Sequence, residues 1–191
     1  MSKGRPDPGN REEPMSNSSY DPDARASLGP EEIARLPYRL GVGVMLLNGD
    51  DEVFVAQRAD MRTAAWQMPQ GGIDAGEAPL PAAYRELQEE TGVTSAELLA
   101  ESRDWLDYDL PVELVPKLWK GRYRGQRQKW FAMRFTGAES EIDIFGPDQE
   151  FTTWRWAPLR QLPELIVPLK VSLYRRIVEE FAPLLERRPG S

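Results

Sequence analysis

Three glutamates, Glu86, Glu89 and Glu90, stand at i, i+3 and i+4 within "YRELQEETGV", residues 84–93. On a helix that spacing puts three carboxylates on one face, where each like-charge pair costs roughly 0.2–0.5 kcal/mol. A fold gains nothing from such an arrangement, but a divalent cation between the carboxylates reverses the sign of the interaction. Magnesium or manganese suits ligands that are oxygen only. Such an ion bridges phosphate oxygens, neutralises charge in a transition state and lowers the pKa of a bound water. The chemistry implied is hydrolysis of a polyphosphate.

Composition narrows the field in the same direction. The 191 residues contain neither histidine nor cysteine. Histidine general bases, Ser-His-Asp triads, thiolate nucleophiles, disulfides and His- or Cys-based metal sites are therefore excluded, leaving carboxylates, lysine, tyrosine and bound water for proton chemistry. A formal net charge of −7 argues against a general nucleic-acid coating protein, which would recruit phosphates with net basic charge, and no DNA partner is expected. No apolar run approaches the ~20 residues of a membrane span, and the proline-broken N-terminus has no apolar signal core. The expected setting is cytoplasmic. With no leftover apolar stripe evident, the expected state is a monomer.

The carboxylates need a scaffold to present them. Before them lies a loop, Ala59 to Gly76, in which Gly71 followed by Gly72 lets the backbone turn sharply and approach a ligand. Glu77 sits at the junction with a helix predicted from about Ala78 to Thr91, which Gly92 stops. The apolar side of that helix is Ala83, Leu87 and their neighbours, opposite the glutamates. Strands are predicted at Arg39–Asn48 and Glu52–Arg58 as an antiparallel pair, with strand-like runs near Leu98–Tyr108, Arg127–Phe135 and Thr152–Leu159. An amphipathic helix from about Leu169 to Leu185 closes the chain. Strands with two helices suggest an α/β sheet covered on both faces. The domain is expected over residues 37–182, preceded by a disordered tail over 1–36, rich in Pro, Ser, Asp and Glu, and followed by a frayed end over 183–191.

The full spacing is Gly71, five residues, Glu77, seven residues, then "RELQEETGV" from Arg85 to Val93. This box over residues 71–93 resembles, without departure, the signature of the Nudix hydrolases. The resemblance implies an α/β/α sandwich around a mixed β-sheet and hydrolysis of a nucleoside diphosphate linked to another group. It also implies that Glu86, Glu89 and Glu90 hold the metal, that Arg85 orients a ligand carboxylate by ion pairing, and that Glu77 supports the loop.

Further motifs, "WQMPQGGI", "WLDYDLP", "GQRQKWF", "EFTTWRW" and "LKVSLYRRIVEEF", look like the branch holding bacterial RNA pyrophosphohydrolases and plant-type dinucleoside polyphosphate hydrolases. By that resemblance Arg39 and Arg58 contact the terminal phosphates or the RNA near them, Tyr108 stacks on or borders a base, and Lys170 lies near the phosphates or second nucleotide. Glu150 matches an additional metal-site carboxylate. The implied substrates are 5′-triphosphorylated RNA, converted to 5′-monophosphorylated RNA with release of pyrophosphate so that transcripts enter decay, or, alternatively, dinucleoside tetraphosphates. One departure is Leu169, where the RNA-acting members carry Phe. From the residues themselves, Lys117, Lys120, Arg122, Arg124, Arg127 and Lys129 make a basic segment with no acidic residue, interleaved with Trp119 and Tyr123. Such a segment suits a phosphate chain ending in bases or, more blandly, a solvated hairpin loop. Lys129, inside "QKWF", is the one of the six expected to touch substrate.

Overall fold

A computed structural model describes residues 28–59, 65–146 and 149–186. The elements in chain order are α1 (Pro30–Arg35), β1 (Tyr38–Leu47), β2 (Glu52–Arg58), β3 (Gln70–Gly72), α2 (Pro79–Thr91), β4 (Ala96–Glu101), β5 (Leu106–Asp109), β6 (Gly125–Phe135), β7 (Phe151–Pro158), α3 (Leu162–Leu165) and α4 (Val171–Glu186). The strands form one sheet in the order β4-β6-β1-β2-β7, with β3 added on β1 and β5 on β6. β1 runs parallel to β6 from Tyr38↔Gly125 to Leu47↔Arg134, and the other pairings are antiparallel. The sheet is therefore mixed, as the sequence resemblance implied.

The period-2 alternation of β1 sends Val42, Val44 and Leu46 to one face and Met45 and Leu47 to the other. The first face is covered by α2 through Ala82, Ala83 and Leu87, with Phe131 and Met133 of β6 beneath. The second is covered by α4 through Leu173, Tyr174, Ile177 and Phe181, packed on Trp130 and Val55. Burying a side chain such as Leu87 or Ile177 contributes about 1.5–3 kcal/mol, so both helices are held by their apolar stripes rather than by local propensity. The Tyr174 hydroxyl accepts the backbone N–H of Met68 at 2.9 Å, fixing the segment that leads into β3.

Three expectations need correction. Residues 28–36 are not structureless: Pro30–Arg35 is helical, Ile33 is buried, and Leu28 and Leu36 pack on the α4 side of the core. A short helix in a Pro- and Glu-rich stretch gains its stability from docking, which composition does not reveal. Residues 1–27, the rest of the expected tail, and 187–191 lie outside the described residues. At the other end, residues 183–186 belong to α4, and Leu184 and Leu185 pack against the core instead of fraying. Third, the loop before α2 contains a strand, β3, too short to announce itself by alternation.

Candidate active site

Gly71 and Gly72 face opposite sides of the sheet, and each is small for a separate reason. A Cβ on Gly71 would overlap the Glu86 carboxylate, and one on Gly72 would lie 2.5 Å from Nη2 of Arg39. Neither glycine has positive φ. The expected sharp turn is thus replaced by an extended strand that lets a carboxylate approach from the α2 side and a guanidinium from the α4 side.

Arg85 organises the α2 side. Its Nε and Nη2 donate to the two oxygens of Glu77 at 3.0 and 2.8 Å, and Nη2 also donates to the Gly72 carbonyl at 2.9 Å. Nη1 donates to Glu86 at 2.9 Å and to Glu89 at 3.0 Å. The planar fork suits this many acceptors at once. Hydrogen bonding to Glu77 raises the Arg85 pKa, and the same contact lowers that of Glu77. Glu77 in turn accepts the Asp74 N–H at 3.0 Å, closing the loop into α2.

Glu90 departs from the expected picture. It lies on the buried stripe of the helix with Ala83 and Leu87, not opposite it. One carboxylate oxygen accepts the Gln70 N–H at 2.9 Å, while the other, Oε1, is buried and has no hydrogen-bond partner. Burial, and then the proximity of Glu150, push its pKa well above the usual carboxylate range. Glu86 is raised as well, chiefly by burial, with Glu89 and Glu150 adding repulsion. Glu150 itself pairs with Arg58 at 3.1 Å, and its carbonyl accepts the Ala59 N–H at 2.7 Å. Arg85, Glu86, Glu89, Glu90, Asp143 and Glu150 line an open cleft of about 480 Å³.

A buried carboxylate oxygen without a donor, faced by two more carboxylates, is costly unless a cation is supplied. The donor set is oxygen only, which fits a hard divalent ion. Among the described residues no three carboxylates are closed into a ready-made cage, because Arg85 draws Glu86 and Glu89 towards itself. The residues fit a metal that competes with Arg85 for those oxygens.

The α4 side of the sheet carries a second polar cluster. Lys170 is buried; its Nζ donates to Gln70 Oε1 at 3.0 Å and lies 5.1 Å from the centre of the Tyr108 ring. Burial first, then Arg58, lowers its pKa to about 7. Gln128 Nε2 donates to Gln70 Oε1 at 3.3 Å and to Gln126 Oε1 at 2.8 Å, and the Tyr108 hydroxyl donates to Gln126 Oε1 at 3.0 Å. The Trp130 indole N–H, a donor only, reaches Gln128 Oε1 at 3.1 Å. That single donor fixes every amide in the chain: Gln128 must donate from its nitrogen, so Gln70 must turn its oxygen to Lys170.

The structure therefore brings together Arg85, Glu86, Glu89, Glu90 and Glu150 in one cleft, with Arg58 on Glu150, and gathers Tyr108 and Lys170 around Gln70. Arg39 lies over Gly72 with its guanidinium 5.4 Å from the Trp119 ring. Lys129 is placed differently: its ammonium donates to the carbonyls of Ser102 and Arg103. Sequence reading misses Gln70, Gln126, Gln128 and Asp143. For the glutamines a signal exists: "GQRQKWF" puts polar residues at alternate positions of a strand whose neighbours are core, so two glutamines must be buried on one face.

A model of the NUDIX domain matches residues 37–180. The chain belongs to the Nudix family. An RNA pyrophosphohydrolase from Roseobacter denitrificans is 62% identical over 154 residues, covering 80% of this chain and 96% of that protein. Proteins of the same name from Rhodopseudomonas palustris and Rickettsia canadensis are 56% and 51% identical over 94% of their lengths. Among solved structures, an E. coli dihydroneopterin triphosphate pyrophosphohydrolase (TM-score 0.61, 19% identity, 78% of this chain and 99% of that one) and a C. elegans Ap4A hydrolase (0.58, 20%, 78% and 98%) share the fold of this Nudix protein.

Proposed function

We propose that this Nudix protein hydrolyses the 5′-triphosphate of RNA, taking up one water and yielding 5′-monophosphate RNA and pyrophosphate, and so commits transcripts to decay in the cytoplasm. The observation that carries the chemistry is the unpartnered Glu90 oxygen facing Glu150 and Glu86. The choice of RNA is supported by relatives above 50% identity, matched over almost their whole length, that bear the name RNA pyrophosphohydrolase.

Glu86, Glu89, Glu90 and Glu150 would hold magnesium or manganese, which neutralises phosphate charge and makes water nucleophilic at neutral pH. The chain's own contribution is positioning. The Gln70 N–H and Arg85 hold the carboxylates in place, Glu77 holds Arg85, and Gly71 keeps the approach to Glu86 open. Arg39 and Lys170 supply positive charge to the terminal phosphates from the other side of β3, and Arg58 does so from beside Glu150.

Hydrolysis of dinucleoside tetraphosphates is the second reading, resting on the likeness of "WLDYDLP" to the plant-type dinucleoside enzymes of the branch. In this structure the Tyr108 ring is buried and lies 5.1 Å from the Lys170 ammonium. The deciding experiment compares rates with magnesium on 5′-triphosphorylated RNA bearing unpaired 5′ nucleotides and on diadenosine tetraphosphate, with Glu89→Gln as blank. Faster pyrophosphate release from RNA is expected. RNA left intact while the dinucleotide is cleaved would overturn the proposal.

A further inference from the structure

The basic segment between β5 and β6 divides into two groups of cations. Arg124 pairs with Asp109 at 2.8 Å and lies 5.1 Å from the Tyr38 ring, and Arg127 pairs with Asp107 at 2.7 Å on the same ring. Lys129 is held by two carbonyls. These three are engaged in holding strands together. Lys117, Lys120 and Arg122 are exposed and, among the described residues, have no acidic partner.

The second group surrounds two rings. Trp119 packs edge-on against Tyr123 at 6.2 Å, with Arg39 against the Trp119 ring and Arg122 5.8 Å from the Tyr123 ring. Both Trp119 and Lys120 have left-handed backbone, with φ of 48° and 57°. Two consecutive side-chain-bearing residues seldom adopt that conformation, and it persists where the surroundings hold a residue for a purpose. Through Arg39 the Trp119 ring adjoins Gly72, so this strip begins at the edge of the site. On a chain of net charge −7, a local run of cations with a stackable ring matches one ligand chemistry: a phosphodiester chain with unpaired bases.

We propose that Trp119, flanked by Lys117, Lys120 and Arg122, binds the single-stranded RNA downstream of the 5′ nucleotide. The subsite rests on the RNA reading above and deepens it: the triphosphate enters the cleft while a following base stacks at Trp119 and following phosphates meet the lysines and Arg122. It explains how one acidic protein favours RNA over a free nucleotide. Nucleoside triphosphates carry the same phosphates but nothing that reaches Trp119.

The test compares a 5′-triphosphorylated dinucleotide with a longer single-stranded triphosphorylated RNA. It also measures binding of labelled long single-stranded RNA to the full chain by anisotropy with magnesium. For Trp119→Ala, KM and Kd for the long RNA are expected to rise about tenfold, while the dinucleotide changes within about twofold. Trp119→Leu, which keeps apolar packing, should lose the same preference for length. The double variant Lys120→Gln/Arg122→Gln should flatten the slope of log Kd against log salt by about 1. Equal losses on both substrates would mean that the ring merely supports Arg39, and unchanged values would mean that it touches nothing; either overturns the subsite. Long RNA bound through Trp119 but not hydrolysed would remove the activity and keep the subsite. RNA hydrolysed equally well by all variants would do the reverse. RNA neither bound nor hydrolysed would remove both.

Discussion

The two faces of β3 treat buried polarity in opposite ways. On the α4 side, Lys170, Gln70, Gln128, Gln126, Tyr108 and Trp130 satisfy one another in a directed chain of hydrogen bonds. On the α2 side, Glu90 keeps one oxygen without a donor and faces two carboxylates. A satisfied network is finished structure, and it rigidifies what it holds. An unsatisfied one is costly to the fold alone and becomes favourable only with a ligand. The contrast separates the part of the site that positions from the part that binds.

The sharpest way to break the contrast is Glu90→Gln. Removing a metal-site carboxylate should lower kcat about 10³-fold, equivalent to about 4 kcal/mol. Without metal the same change should stabilise the protein, because it removes a buried like charge. The sign follows from the raised folded-state pKa of Glu90 and Glu86. The folded protein holds protons that the unfolded chain releases near pH ~4.3, so the stability from these groups is present below that pH and is lost as pH rises through their folded pKa. In EDTA, the Tm of the parent should fall relative to Glu90→Gln between acidic and neutral pH. Parallel curves would show that Glu90 is not under strain.

Gly71→Ala and Gly72→Ala sharpen the comparison at adjacent positions. The methyl added by Gly71→Ala would displace the Glu86 carboxylate that Arg85 holds, and a displacement near ~1 Å can cost about 10²-fold in kcat. The methyl added by Gly72→Ala meets only the mobile end of Arg39, so its effect should be about tenfold at most and appear in KM. Equal effects on kcat would mean that the two faces do not have separate roles.

Gln128→Leu breaks the finished side. It leaves the Trp130 indole N–H and a Gln126 acceptor short of a partner, which should cost about 1–3 kcal/mol in denaturant unfolding. Without Gln128 the Gln70 oxygen keeps only Lys170 as a donor and is held less firmly, so KM should rise more than kcat falls. Loss of stability without a change in KM would confine the network to folding.

How much of this is legible in the sequence depends on how local each feature is. The carboxylates, Arg85 and Glu77 lie within one loop and one helix, so spacing alone relates them, and the alternation of β1 and the stripe of α4 locate the two layers. The i, i+4, i+7 spacing of Ala83, Leu87 and Glu90 already puts them on one face. A carboxylate contradicts an apolar stripe, however, so hydrophobic patterning assigns Glu90 to the open side and only tertiary packing shows it buried. Gly71 and Gly72 suggest a turn; the actual reason for them, two side chains arriving from opposite faces, involves Arg39 and Glu86 from distant segments. Docking of α1 is invisible for the same reason.

Two lysines make the final comparison. The sequence leads one to expect both Lys170 and Lys129 at the substrate, yet the structure buries Lys170 against Gln70 and Tyr108 and occupies Lys129 with the carbonyls of Ser102 and Arg103, where Trp130 N–H also meets Ser102 Oγ. Lys129 therefore ties the end of β4 to β6. Lys129→Gln should cost about 0.5–1.5 kcal/mol of stability, the net worth of a hydrogen bond or two near the surface, and change KM for RNA by less than about twofold. Lys170→Gln should do the opposite, raising KM while relieving a buried cation whose pKa already lies at about 7. If Lys129→Gln instead weakens RNA binding and leaves Tm unchanged, the β4 edge belongs to the substrate path, and the division of cations drawn for the β5–β6 segment fails with it.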